Sequence, residues 1–257
     1  DSGFVRAFNL ADGVVAYPLA AWLFQTGSIL IRDLPGLDSG AFEEGFHRTP
    51  IPFRSADMSG AVQTDFGDLP GAEEVTITRQ TEQGLATLMS SLPFGRSPQI
   101  AVSGDHLYLG SQDDYEVKVI RSDANLERII RLDSDPAPLT DADLQAYIDD
   151  EVAAMGDDGT APGYRRQLEE IPRAEFTPAH GELAADSRGF LFVADYAMPR
   201  QETRAVRVFD PQGRLVGRFR IPAELEMLEV GEDYLLGLYE DEMEVEYLQL
   251  FSLTRPR

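Results

Sequence analysis

ELAADSRGFLFVADYAMPRQETRAVRVFDPQGRLVGRFRIP, residues Glu182–Pro222, is the stretch whose reading decides the fold. It runs as short apolar strand, turn, apolar strand, turn, alternating strand, glycine turn, final strand. The same phrase recurs in IAVSGDHLYLGSQDDYEVKVIRSDANLERIIRL, Ile100–Leu132. A third copy, LEVGEDYLLGLYEDEMEVEYLQLFSL (Leu228–Leu253), stops before its last strand. Strand-only units recurring at roughly 40 residues mark the blades of a propeller.

Outward from these copies, Asp1–Leu10 (DSGFVRAFNL) reads like the closing strand of other blades, such as Gln212–Ile221 and Ala124–Leu132. The chain thus opens on an outer strand and ends on a blade that lacks one. The expectation is that the first strand completes the last blade and removes two exposed edges. The alternative is that it finishes a blade whose other strands the chain does not hold. Leu19–Phe24 and Ser28–Arg32 are strands joined around Gly27, Leu34–Pro50 is a long insert, and Ile51–Ala56 and Ala61–Phe66 form an outer pair. Glu74–Ser91 adds a further hairpin, turning at Gln83–Gly84. Glu240–Glu246 (EDEMEVE) reads as strand with one wet acidic face.

Pro138–Pro172 breaks the strand pattern. Thr140 can cap a helix, with Asp141 and Asp143 favouring its first turn. Leu144, Tyr147, Ile148, Val152 and Met155 follow at helical spacing, and Gly156 is a stop. A second helix fits Gly163–Ile171, with Tyr164, Leu168 and Ile171 on one face, and Asp157-Asp158-Gly159 is the loop between. The fold class expected is all-β: a β-propeller of four or more recognisable blades, six-bladed or incomplete, spanning 1–257 as one domain with a helical hairpin inserted at 138–172.

The chain has 257 residues and a net charge of −23, which disfavours nucleic acid and anionic lipid surfaces. It has no cysteine, so disulfides and thiolate chemistry are excluded. It begins at Asp1 with no leader, which reads as a processed form or a fragment. The longest apolar run, Val14–Phe24, is shorter than the about 20 residues a membrane-spanning helix needs, so no transmembrane segment is expected. Trp22, inside that run, reads as inner-strand core, or as part of a partner-facing patch if the ring is incomplete.

FDPQGRLVGRF (Phe209–Phe219), LPFGRSPQIAVSGDHLYLG (Leu92–Gly110) and the Leu228–Leu253 copy resemble bacterial six-bladed β-propellers of the NHL-like group. The resemblance covers most of Phe94–Leu253 and, more loosely, Asp1–Arg32. It implies the fold and a periplasmic, secreted or lipid-anchored setting. It implies no reaction. The chain departs from that group in length, being roughly two blades short of six.

No catalytic, cofactor-binding or metal-ligating residues are assigned, and no cofactor is expected. His47, His106 and His180 lack metal-ligand or catalytic spacing. His106 reads as a solvated turn residue, while His180 begins an inner strand that can line a channel. Calcium on a propeller axis needs converging oxygen ligands. Asp186 and Asp195 are the best-placed acids, although Asp186 also reads as a turn residue. The function expected is a non-catalytic scaffold that binds other proteins through Leu34–Pro50 and Pro138–Pro172. The narrower form is an extrinsic, membrane-peripheral subunit bracing a membrane complex, photosynthetic reaction-centre assemblies being one setting. A calcium-dependent propeller hydrolase of lactonase or esterase type and a small-ligand sensor are the alternatives.

Overall fold

The computed structural model describes residues 17–34, 44–81, 84–155, 160–241 and 245–255. Sheet I is an antiparallel meander of β1 (Tyr17–Leu23), β2 (Ile29–Leu34), β4 (Ile51–Ala56) and β5 (Val62–Leu69). Between β2 and β4 the chain makes β3 (Gly45–His47), which leaves this sheet and pairs with β6 (Glu74–Thr81). The latter pairs in turn with β7 (Gly84–Ser91). Sheet II comprises β8 (Gln99–Ser103), β9 (His106–Gly110), β10 (Glu116–Arg121) and β11 (Leu126–Arg131). Helices α1 (Asp141–Ala154) and α2 (Ala161–Glu170) follow. Sheet III holds β12 (Leu183–Ala185), β13 (Leu191–Ala194), β14 (Thr203–Phe209) and β15 (Leu215–Pro222). Sheet IV has three strands, β16 (Glu226–Val230), β17 (Tyr234–Glu240) and β18 (Glu246–Ser252).

The turns follow from local chemistry. Gly27 adopts φ +84°, which a side chain would strain, and its N–H donates to Phe24 O at 2.9 Å to reverse β1 into β2. Asp186 accepts from the N–H groups of Arg188 and Phe190 at 2.9 and 2.8 Å, closing the β12–β13 turn. Asp210 does the same for Gln212 and Arg214 between β14 and β15.

Inner strands alternate their side chains between the two neighbouring sheets. Sheets I and II meet through Phe24, Leu30, Phe53, Leu107, Leu109 and Ile120. Tyr115, Val117 and Val119 of the sheet II region pack on Leu191, Val193 and Phe209 of sheet III. Phe192, Val206 and Ile221 then pack on Leu225, Met227 and Leu235 at sheet IV. These successive meanders, with β1, β8, β12 and β16 around one axial cavity, make a β-propeller.

Sheet IV is different. Its register sets Leu236 opposite Leu250 and Leu238 opposite Leu248, on the face turned away from sheet III. Leu248 and Leu250 are 68% and 69% exposed. The expected closing strand, Asp1–Leu10, lies outside the described residues, as do most of Leu34–Pro50 and the Asp157-Asp158-Gly159 loop.

Three readings of the sequence change. Trp22 is not core: it is 39% exposed and lines the axial cavity, because Phe24, Leu30 and Phe53 already fill the seam with sheet II. Glu240–Glu246 is not one strand. β17 ends at Glu240, the chain reverses with Asp241 N–H donating to Val245 O at 3.1 Å, and Glu240 faces Glu246. His106 begins β9 and pairs with Glu127 of β11 at 2.8 Å, so it is more than a solvated turn residue.

Candidate functional site

The Glu74–Ser91 hairpin and the helices of Pro138–Pro172 come together as one lobe. Thr140 caps α1 in a reciprocal box: its hydroxyl accepts from Asp143 N–H, and the Asp143 carboxylate accepts from Thr140 N–H at 2.8 Å. The apolar stripe of α1 and the α2 residues Tyr164 and Leu168, with Ile171 just beyond, lie against the β6–β7 hairpin. Val75, Leu92, Ile148, Leu168 and Ile171 are buried together, joined by Ile77, Leu88, Leu144, Tyr147, Val152 and Tyr164. Burial pushes the Tyr147 hydroxyl pKa up to about 12. Arg79 of β6 pairs with Glu170 of α2, and Arg173 pairs with Asp141 at 2.8 Å.

The lobe meets the ring through a charged junction. Arg96 donates from Nε and Nη2 to Glu73 Oε1 at 2.9 and 2.6 Å, and from Nη1 to Asp113 Oδ1 at 2.9 Å. Arg48, just after β3, reaches the same Asp113 oxygen at 2.6 Å and the Ser111 carbonyl at 2.8 Å. Burial alone would raise the Glu73 and Asp113 carboxyl pKa values. The arginine hydrogen bonds and charges outweigh it, so both lie below the usual carboxylate value. The Phe94 and Tyr147 rings meet at a tilt with centroids 5.5 Å apart, and Arg200 donates to Asp150 of α1 at 3.1 Å.

Beside the junction lies a buried polar cluster. Gln112 accepts from Ser97 N–H at 2.7 Å and donates to the His180 carbonyl at 2.6 Å, linking sheet II to sheet III. The His180 ring is fully buried, with Nδ1 2.8 Å from Gly181 O. It abuts Gly110, where an added Cβ would lie 2.5 Å from the ring. Burial holds its pKa below the ordinary histidine value and keeps it neutral. Tyr115 meets it edge-on at 5.7 Å, and Arg207 lies 5.4 Å over the Tyr115 ring.

The two acids considered for calcium are already neutralised. Asp186 is 1% exposed and pairs with Arg255 besides closing its turn. Asp195 pairs with Arg207. They sit at separate places and do not converge. Glu182 at the axial cavity has its pKa raised by burial, is held by Arg204, and accepts from Met227 N–H at 3.2 Å. Among the described residues, no three His, Cys, Asp or Glu side chains group as metal ligands. No helix among them is long and apolar enough to cross a membrane.

The sequence reading located the helices, their cap and the extra hairpin. It missed Arg48, Glu73, Arg96 and Asp113, whose only local signal is charge beside turns. It also missed the pairing of β3 with β6.

No protein-family profile matches the chain, and no curated protein sequence matches it. Solved structures do resemble it. Apo AztD from Citrobacter koseri shares 10% identity at a TM-score of 0.34, covering 92% of this chain and 59% of that one. A streptogramin B lyase shares 8% at 0.35, covering 96% and 72%. A DUF4221 member from Bacteroides vulgatus shares 10% at 0.34, covering 88% and 85%. All three are β-propeller-type folds. The chain thus spans 59% of the length of the AztD structure it resembles.

Proposed function

We propose that the chain is a non-catalytic, protein-binding propeller domain of NHL-like type, and that the lobe is its contact surface. One observation carries this reading: the Glu74–Ser91 hairpin and the Pro138–Pro172 helices, far apart in sequence, build a shared core and are anchored to the ring by a four-residue ion network. Loop additions on a rigid scaffold are where binding usually resides. The lobe also presents apolar side chains outward, with Phe46 63%, Leu85 75% and Met89 39% exposed. The NHL-like resemblance supports an extracytoplasmic setting at the periphery of a membrane complex.

The test is co-purification of the tagged protein from its native cells, with wild type compared with a Leu85→Asp/Met89→Asp variant. Both positions are exposed, so the melting temperature should hold. The expected result is that the variant loses at least one partner that wild type retains. An unchanged partner set, or no partner with wild type, overturns the reading.

A further inference from the structure

We propose that a second copy of this chain docks on β7, the two β7 strands pairing antiparallel across a two-fold axis at Thr87. The inference rests on the reading of the lobe as a contact surface and names its partner. β7 is the outermost strand of the β3–β6–β7 sheet, and among the described residues no strand pairs with its outer edge. Leu92 N–H donates to Glu73 O at 2.9 Å, which fixes the phase of the β6–β7 ladder. Hydrogen-bonded pairs alternate with non-bonded ones along such a ladder. Ala86, Leu88 and Ser90 therefore turn their main-chain groups to β6. Leu85, Thr87 and Met89 turn theirs outward, to no partner among the described residues.

Open strand edges are normally protected by charge, proline or bulges. The other outer strands follow that rule. β5 carries Asp65 and Asp68, β11 carries Glu127, Arg128 and Arg131, and β15 carries Arg218 and Arg220, each with a broken register against its neighbour. β18 keeps its register but starts at Glu246. β7, GLATLMSS, has no charged residue and no proline, and its register with β6 is unbroken. Leu88 packs against the lobe core, so Leu85, Thr87 and Met89 share the opposite face of the sheet, where Leu85 and Met89 are exposed.

Two features select a second copy as the occupant. The strand is its own complement: antiparallel pairing about Thr87 sets Leu85 of one copy opposite Met89 of the other, Thr87 opposite Thr87, and Ala86 opposite Leu88. In that register the outward N–H and C=O groups of Leu85, Thr87 and Met89 meet those of the other copy as hydrogen-bonded pairs. The second feature is charge. Each chain carries −23, so two copies repel wherever charged surfaces meet, and β7 lets them meet with no charged side chain opposed within the strand. The product is one continuous sheet made of β3, β6 and β7 from each copy, with both helical hairpins on the same face.

Analytical ultracentrifugation of the purified full chain is the test, with Thr87→Lys, Thr87→Cys, Leu85→Cys and Leu248→Lys alongside. Wild type is expected at twice its 28.4 kDa mass. Thr87→Lys, at an exposed position, sets like charges directly opposite each other and is expected to give a monomer that circular dichroism shows to be folded. Leu248→Lys on β18 is expected to stay dimeric. The chain has no cysteine, so Thr87→Cys supplies one thiol per copy. Across the axis the two Thr87 Cα atoms would lie about 5.5 Å apart, within disulfide reach, whereas the two Leu85 positions would lie well beyond it. Oxidation is expected to cross-link Thr87→Cys at least tenfold faster than Leu85→Cys, a readout that stands even if the lysine disturbs the fold. Wild type monomeric at about 0.1 mM, a dimer that Thr87→Lys retains or Leu248→Lys removes, or equal cross-linking at the two positions would each overturn the proposal. A monomer that still holds partners in cells through Leu85 and Met89 would overturn the second copy alone and leave the reading of the lobe standing.

Discussion

Sheets II and III meet mainly through an apolar seam, whereas the lobe meets the ring through arginines and carboxylates. In the seam, Val117, Leu191, Val193 and Phe209 are at most 1% exposed. At the junction, the Arg96 side chain is 38% exposed and that of Asp113 36%. Apolar burial is strong and indifferent to direction. Charge pairs near the surface contribute less, but they fix orientation. The ring is therefore built for stability, and the lobe's attachment for position.

The most severe way to break this comparison is Phe209→Ala. Removing a fully buried ring from the seam should cost about 3–5 kcal/mol. Chemical denaturation would read it, and a loss below 1 kcal/mol would mean that the seam is not the ring's main support. Arg96→Ala comes next. It strands Glu73 and removes one of two arginines on Asp113, costing about 1–2 kcal/mol. Hydrogen exchange should quicken in β6, β7 and α1 while β10 and β13 keep their protection. Equal loss in ring and lobe would erase the distinction.

The smallest effect is a pH slope, and it should separate the two regions. The folded pKa of His180 lies below its unfolded value of 6.5 because burial disfavours the charged ring. Ring stability is thus present above pH 6.5 and falls as pH drops below it, by at most about 1.4 kcal/mol per pH unit. His180→Gln should flatten the melting-temperature slope between pH 7 and 5, whatever it does to absolute stability. At the junction, the folded pKa values of Glu73 and Asp113 are lowered. Its contribution is therefore full above their ordinary values of 4.5 and 3.8 and is lost as pH falls through the folded values. A wild-type slope that His180→Gln leaves unchanged would remove the histidine from the account.

Much of the architecture was written locally. Period-2 alternation and turn residues such as Gly27 and Asp186 placed the strands of the regular sheets. Thr140 and the apolar spacing after it placed α1. The β17–β18 reversal was not legible, because Glu240–Glu246 keeps alternating through it without Gly, Pro or Asn. Trp22 was misread because strand periodicity says which residues share a face, not whether that face meets a sheet or a cavity. The lobe and its arginine junction depend on contacts between Arg48, Glu73, Arg96 and Asp113. Separations of this kind leave no trace in a local pattern.

The lobe's core joins Val75 and Leu92 to Ile148, Leu168 and Ile171, and the whole of sheet II lies between these segments in the chain. Packing them together closes a loop around that sheet. The effect is that of a cross-link: by tying the two ends of the segment, the lobe restricts the opened states available to β8–β11, as a disulfide restricts an unfolded chain. In a protein without a single cysteine, a hydrophobic knot supplies that tether, and it can be untied without breaking a bond.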